Sequence, residues 1–191
     1  MPDAILTSPL ADSAKQRTLQ VDGRGCTLAE IPFDEMLDLR GKPGDARFAA
    51  AVLQGTGLHL PVRANSASID PQRQLLWLGP DEWLFKTRDG QGGAIASALR
   101  QALQGTHSAV VEVGDGFTTL AVRGPGAADL LARGCPLDLQ PRAFPAGALA
   151  QSHIAKANVT ILCLHAGSDY EVTVRRSFAL YLVEWLTAAG S

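Results

Sequence analysis

Apolar positions along this chain fall into short runs. Some are spaced as on one face of a helix, others are continuous as in buried strands. "DARFAAAVLQG" sets Phe48 and Val52 one turn apart, with Asp45 placed to cap the N-terminus and Gly55 to end the helix in the left-handed conformation. "ASIDPQRQLLWLGPDEWLFKT" predicts two or three strands. In "GAIASALRQALQG", Ile95, Ala98, Leu99, Ala102 and Leu103 form one apolar stripe, which predicts a second helix. The pattern then restarts. "SAVVEV" and "FTTLAVR" read as strands, and "GPGAADLLARG" as a short helix with Pro125 near its first turn and Gly134 at its end. "ALAQSHI", "NVTILCLH" and "YEVTV" read as strands, and "SFALYLVEWLTAAG" as a last helix capped by Ser177 and stopped by Gly190. Residues 1–22 are polar, with Pro2 and Pro9, and are expected to form an arm with little regular structure; "CTLAEIPF" (Cys26–Phe33) is the first expected strand.

Two fragments recur. "QGTGLHL" (Gln54–Leu60) resembles "RGCPLDL" (Arg133–Leu139), after a helix each time, and "GPDEWLF" (Gly79–Phe85) parallels "GSDYEVT" (Gly167–Thr173), before a helix each time. Short matches also arise by chance, but the near-equal separations suggest a duplicated α-β-β-α unit. The expected fold is therefore α+β: one domain over residues 23–191, built of two ferredoxin-like halves at about 23–106 and 107–191.

The repeat bears on Asp81 and Glu82, two adjacent carboxylates between apolar runs. Gly79-Pro80-Asp81-Glu82 has turn residues where a tight turn needs them, and adjacent carboxylates on a turn diverge, so a hairpin is expected rather than a catalytic pair. "VRGPGAAD" supplies G-x-G after a strand, but Asp129 stands where a dinucleotide fingerprint needs a small residue. Cys163 and His165 share a strand face but lack a third metal ligand at motif spacing. No G-x-S-x-G occurs, and Cys135 follows a helix at its negative end, which disfavours a thiolate. No catalytic, cofactor-binding or metal-binding residue is assigned.

A net charge of −2 and a pI near 6.1 make nucleic acid a poor partner. Three widely spaced cysteines, no signal-peptide pattern and no membrane-length apolar run point to a cytoplasmic chain with reduced thiols. The last helix is more informative. In "SFALYLVEWL" apolar residues surround nearly the whole circumference, broken only by Glu184. Such a helix is either pinned inside the domain or packed on another chain. On the second reading Tyr181 and Trp185 are the anchors, with Trp83 of the "LLWLGPDEWLF" hairpin as a further interface candidate.

The ordered segments "LLWLGPDEWLF", "VEVGDGFTTLAVRGPGAADLLARGCPLDLQPRAFPAGALAQSHIAKANVTIL" and "YEVTVRRSFALYLVEWL" resemble the gamma subunit family of bacterial heterotetrameric sarcosine oxidase, over roughly residues 20–188. The resemblance implies a fold like the folate-binding aminomethyltransferase domain of the glycine cleavage system. It implies a non-catalytic subunit in a complex that converts sarcosine, oxygen and water to glycine, formaldehyde and hydrogen peroxide, or passes the one-carbon unit to tetrahydrofolate as methylene-tetrahydrofolate. FAD, covalent FMN, NAD, zinc and tetrahydrofolate are then expected in the alpha, beta and delta partner subunits, with alpha the direct neighbour. The alternatives are a subunit of a related N-methylglutamate dehydrogenase-like complex, or a stand-alone folate-binding protein of the same fold. The iron–sulfur repair relatives of the fold carry a Lys-Gly-Cys signature, which neither "GRGC" nor "RGCP" matches.

Overall fold

The computed structural model describes residues 8–11, 17–31 and 34–191. The chain opens with β1 (Arg17–Val21) and β2 (Arg24–Ile31). A compact unit over residues 34–114, joined by 146–151, follows: β3 (Glu35–Arg40), α1 (Ala46–Thr56), β4 (Ala67–Ile69), β5 (Arg73–Gly79), β6 (Glu82–Thr87), α2 (Gly92–Ala102) and β7 (Ala109–Glu112). The chain continues with β8 (Phe117–Arg123), α3 (Ala127–Ala132), β9 (Leu149–Ile154), β10 (Ala157–His165), β11 (Asp169–Arg175) and α4 (Ala179–Ala189). The second compact unit is discontinuous. It combines the described residues before 34 with 115–145 and 152–191.

The contiguous unit carries a five-stranded sheet in the order β4-β5-β6-β3-β7. Without the short edge strand β4, the sequence β3-α1-β5-β6-α2-β7 in this order is the ferredoxin-like split β-α-β arrangement. The discontinuous unit has the order β1-β2-β8-β11-β10-β9. Here β8-α3-β10-β11-α4 reproduces the same path, and the strand beside β8 in the fourth place is β2, from before the contiguous unit. The units therefore divide at residues 34 and 114, not into halves meeting at 106 and 107. The reason is backbone pairing: Thr27–Ile31 of β2 align antiparallel with Thr119–Arg123 of β8.

The expected N-terminal arm is also more ordered than its polarity implied. Residues 1–7 and 12–16 lie outside the described residues, as do Pro32 and Phe33 of the expected first strand. Yet Arg17–Val21 is a strand, Leu10 is buried, and the Ser8 hydroxyl donates to Glu30.

In the contiguous unit, alternation on the strands puts Leu37, Leu39, Leu75, Trp83 and Phe85 in one core with Phe48 and Val52 of α1 and Ile95 and Leu99 of α2. Asp45 caps α1 as expected, accepting from the Arg47 and Phe48 N–H groups. The left-handed cap, however, is Gly57 at φ 77° rather than Gly55. Gly55 serves a close helix approach, since a Cβ there would lie 2.8 Å from the Leu99 side chain. The apolar stripe of α2 is rotated from the expected one: Ile95, Ala96, Leu99 and Leu103 are buried, while Ala98 and Ala102 are exposed. Pro80 and Asp81 form the two-residue turn of the β5–β6 hairpin, and Glu82 pairs with Arg40 at 2.8 Å.

The discontinuous unit is built on rows of paired strand residues. Val122, Tyr170 and Cys163 align across β8, β11 and β10, and Leu120, Val172 and Ile161 form the next row on the same face. All six are buried, as are Leu130 and Leu131 of α3 and Leu182 and Leu186 of α4.

One device occurs in both units. The second residue of the third core strand is a buried aromatic whose polar atom donates to the loop after the first helix. The Trp83 indole N–H donates to the Pro61 carbonyl at 2.8 Å, and the Tyr170 hydroxyl to the Leu139 carbonyl at 2.7 Å. Burial pushes the Tyr170 phenol up to about 12. The equivalence also shows that "GPDEWLF" and "GSDYEVT" match one residue out of structural register. The β10–β11 turn, between the paired His165 and Asp169, holds three residues where the β5–β6 turn holds two.

A buried ion cluster begins the contiguous unit. Asp34 accepts from Lys86 Nζ at 3.0 Å and Arg88 Nε at 2.7 Å, with the Asp34 and Lys86 side chains only 1% and 2% exposed. Burial raises the Asp34 pKa, but Lys86 and Arg88 more than offset this and hold it below its usual value.

Two outcomes follow for urea unfolding. Tyr170→Phe and Trp83→Phe each leave a buried carbonyl without its donor, so each should lose roughly 1–3 kcal/mol. Asp34→Asn removes the buried carboxylate that Lys86 and Arg88 share and should cost about 3–5 kcal/mol at pH 7. Because the folded pKa of Asp34 is depressed, its contribution is present above the unfolded value of about 3.9 and fades as pH falls through the folded pKa. The gap between wild type and variant should therefore narrow at pH 3; an unchanged gap refutes this account.

Candidate partner interface

The C-terminal helix is where sequence pattern and chemistry point to a surface, and its approach sets its orientation. Strand β11 ends at Arg175, a 3-10 turn spans Arg176–Phe178, and α4 begins at Ala179. Ser177 lies inside that turn and does not cap the helix; Phe178 occupies the cap position, where its side chain has no oxygen to accept a bond. Ala179, Leu182, Val183 and Leu186 form one buried stripe at positions i, i+3, i+4 and i+7. Gly190 follows as the cap, its N–H bonded to the Leu186 and Thr187 carbonyls.

The remaining apolar residues of the segment divide. Phe178 and Leu180 are 41% and 46% exposed. Tyr181 is half-buried and stands edge-on to Phe178, ring centroids 6.2 Å apart, with its hydroxyl accepting weakly from the Lys156 N–H at 3.4 Å. Trp185 is half-buried because its ring lies against Gly134, where a Cβ would sit 2.4 Å from the indole. Helix α3 is capped by Arg133, one residue before the expected Gly134, and Gly134 instead admits this close contact. Beside the turn, the Arg175 guanidinium lies 4.6 Å above the Phe117 ring.

Trp83 cannot be an interface residue. It is 0% exposed, tilted against Phe48 with centroids 5.6 Å apart, and belongs to the core of the contiguous unit. A tryptophan next to a turn suggested a surface anchor, but alternation along β6 points this one inward. Phe178 and Leu180, rather than Trp83, are the exposed large apolar residues here. Their place beside Arg175 and Arg176 was the available signal.

The other weighed features have structural roles. The glycines of "VRGPGAAD" permit close approach: a Cβ on Gly124, at φ 122°, would lie 2.5 Å from the Gly25 carbonyl oxygen, and one on Gly126 would lie 2.8 Å from that of Arg24. Their N–H groups donate to the Ser168 and Gly25 carbonyls, so neither is available to a phosphate. Asp129 pairs with Arg24 at 2.8 Å and accepts from Gln140. Cys163 is buried, which raises its pKa, while His165 is 77% exposed beside Asp169, with a register shift between Cys163 and His165. Burial raises the Cys26 thiol as well. Among the described residues no three His, Cys, Asp or Glu side chains form a metal-binding group, and no helix is long and apolar enough to cross a membrane.

Comparison with known proteins places the chain. The family described as "Sarcosine oxidase, gamma subunit family" matches residues 40–191. Sarcosine oxidase subunit gamma of Corynebacterium sp. (strain U-96) is 32% identical over 96% of this chain and 89% of its own length. The corresponding subunit of Corynebacterium sp. (strain P-1) is 34% identical over 100% and 89%. Among solved structures, a chain of the heterotetrameric sarcosine oxidase from Corynebacterium sp. U-96 superposes with a TM-score of 0.84 at 28% identity, covering 97% of this chain and 95% of that one. The glycine cleavage system aminomethyltransferase T from Bartonella henselae shares the fold, with a TM-score of 0.65 at 16% identity over 96% of this chain and 57% of that one. The expected aminomethyltransferase-like α+β fold is thereby confirmed, and the chain is a member of the sarcosine oxidase gamma subunit family.

Proposed function

We propose that this chain is the gamma subunit of a heterotetrameric sarcosine oxidase and acts by assembly, contributing no reacting group. The end-to-end likeness to gamma subunits carries this reading. The complex would convert sarcosine, oxygen and water to glycine, formaldehyde and hydrogen peroxide, or pass the one-carbon unit to tetrahydrofolate. FAD, FMN, NAD, zinc and tetrahydrofolate would reside in the alpha, beta and delta subunits, with alpha the direct neighbour and the complex in the cytoplasm.

The physical support lies in α4. Its buried stripe is complete without Phe178, Leu180 or the outer edge of Tyr181. Large apolar side chains left exposed at the start of a helix gain by being covered. Tyr181 and Trp185 supply the rigid aromatic support that interface anchors typically have.

Affinity purification from the native source tests the reading. The expected result is recovery with a large flavoprotein and two further subunits, flavin absorbance, and sarcosine-dependent peroxide. Recovery as a monomer that binds tetrahydrofolate overturns it. A recovered complex that oxidises N-methylglutamate and not sarcosine reassigns the substrate.

A further inference from the structure

Residues 8–11 form a short turn that is fastened to the body of the discontinuous unit. The turn closes on itself: the Leu10 N–H donates to the Ser8 hydroxyl at 2.9 Å, and the Ala11 N–H to the Ser8 carbonyl at 3.2 Å. The Ser8 hydroxyl in turn donates to Oε2 of Glu30 on β2. The other oxygen of that carboxylate, Oε1, accepts from the Thr118 hydroxyl on β8 at 2.6 Å. Leu10 is 2% exposed, while Glu30 is half-buried.

Glu30 stands at the open end of the β2–β8 pairing. Backbone pairs run from Thr27 with Arg123 to Ile31 with Thr119. At the first end the join is backed up: the Thr27 hydroxyl donates to the Arg123 carbonyl, and the Gly126 N–H to the Gly25 carbonyl. Past the second end the strands part, one leading into the contiguous unit and the other returning from it. Strand ends with nothing beyond them fray first. Glu30 is opposite Leu120, and Thr118 lies on the same face as Leu120, one position past the last pair. The Glu30–Thr118 bond therefore extends the join, and Ser8 locks the carboxylate that makes it.

We infer that residues 8–11 are a strap that holds this end of the β2–β8 join shut, and that it closes in the chain itself without a partner. It rests on this chain's own contacts, whatever complex the chain joins. One buried side chain and one hydroxyl on a half-buried carboxylate hold it, so it opens without unfolding the sheet. Thr118 keeps its hold on Glu30 when Ser8 lets go. Opening uncovers the site that Leu10 fills and frees one Glu30 oxygen. Thr118 also pairs with Val174, next to the last residue of β11, so the strap closes on the end of the sheet from which α4 starts.

Amide hydrogen exchange of the full-length chain, alone and in its assembled complex, tests the strap. Leu10 and Ala11 should be protected equally in both. Ser8→Ala should speed exchange at Leu10, Ala11, Glu30–Ile31 and Thr118–Thr119 by about tenfold, as loss of one hydrogen bond to a carboxylate implies. Leu37–Leu39 and Trp83–Phe85 of the contiguous unit should exchange as in the wild type. In a Glu30→Ala background, Ser8→Ala should add nothing at the join, because the two residues act through one bond. Leu10→Asp and a chain lacking residues 1–11 should match each other there.

Protection of Leu10 and Ala11 in the complex alone overturns the inference, since a partner then orders the turn. So does equal acceleration in both units, which is general destabilisation, or a Ser8→Ala effect undiminished by Glu30→Ala. A chain that joins no sarcosine oxidase subunit overturns the proposed function only; exchange in the chain alone still decides whether the strap exists.

Discussion

The antiparallel pairing of Thr27–Ile31 with Thr119–Arg123 joins the start of the chain to its second half across the whole of residues 34–114. Without it β8 would present a row of unpaired backbone groups on one side, and the split β-α-β path of the discontinuous unit would lack its fourth strand. Loop-closure entropy rises only slowly with loop length, so threading a folded unit between β2 and β8 costs little beyond a shorter connection. The pairing also dictates local sequence. It brings the start of β2, at Arg24 and Gly25, against the start of α3 so closely that Gly124 and Gly126 have no room for a side chain. The residues that resembled a phosphate-binding turn are thus explained by strand pairing.

Within each unit a single buried aromatic ties strand to loop. Trp83 and Tyr170 occupy equivalent places and hold the segment that follows the first helix through one donated hydrogen bond. The chemistry differs, indole in one and phenol in the other, because the requirement is a large apolar body with one donor at its end. Tyr170 also accepts from the Gly167 N–H at 3.0 Å, so its hydroxyl fixes the hairpin turn as well as the loop. Trp83 has only a donor, and its hairpin closes instead by Pro80 and Asp81 with the Gly41 N–H bonded to the Asp81 carbonyl.

Features set by nearby residues were legible in the sequence. The Asp45 cap, the Pro80-Asp81 turn, the last-helix stop at Gly190 and the recurrence of a helix–hairpin–helix path all follow from neighbours within a few positions. Features set by distant residues were not. Gly55 looked like a helix end because its true reason, the Leu99 side chain of α2, lies 44 residues on. The pairing of β2 and the Asp34–Lys86–Arg88 cluster have no local signature. Trp83 was misjudged because aromatic anchors and aromatic cores read alike until alternation on β6 is fixed to a face. On the last helix, the sequence pattern singled out Tyr181 and Trp185, which are half-buried, while Phe178 and Leu180 are the more exposed.

The collar of apolar residues on α4 exceeds what its own unit can use. A helix on a sheet buries one stripe, and Ala179, Leu182, Val183 and Leu186 fill it. Trp185 is then accommodated only because residue 134 is a glycine, which marks it as structural support. Phe178 and Leu180 find no comparable recess. Burying a Phe or Leu side chain fully contributes about 1.5–3 kcal/mol, and roughly half of that remains unrealised at exposures near one half. That remainder adds little to the folding of this chain and is free to drive association.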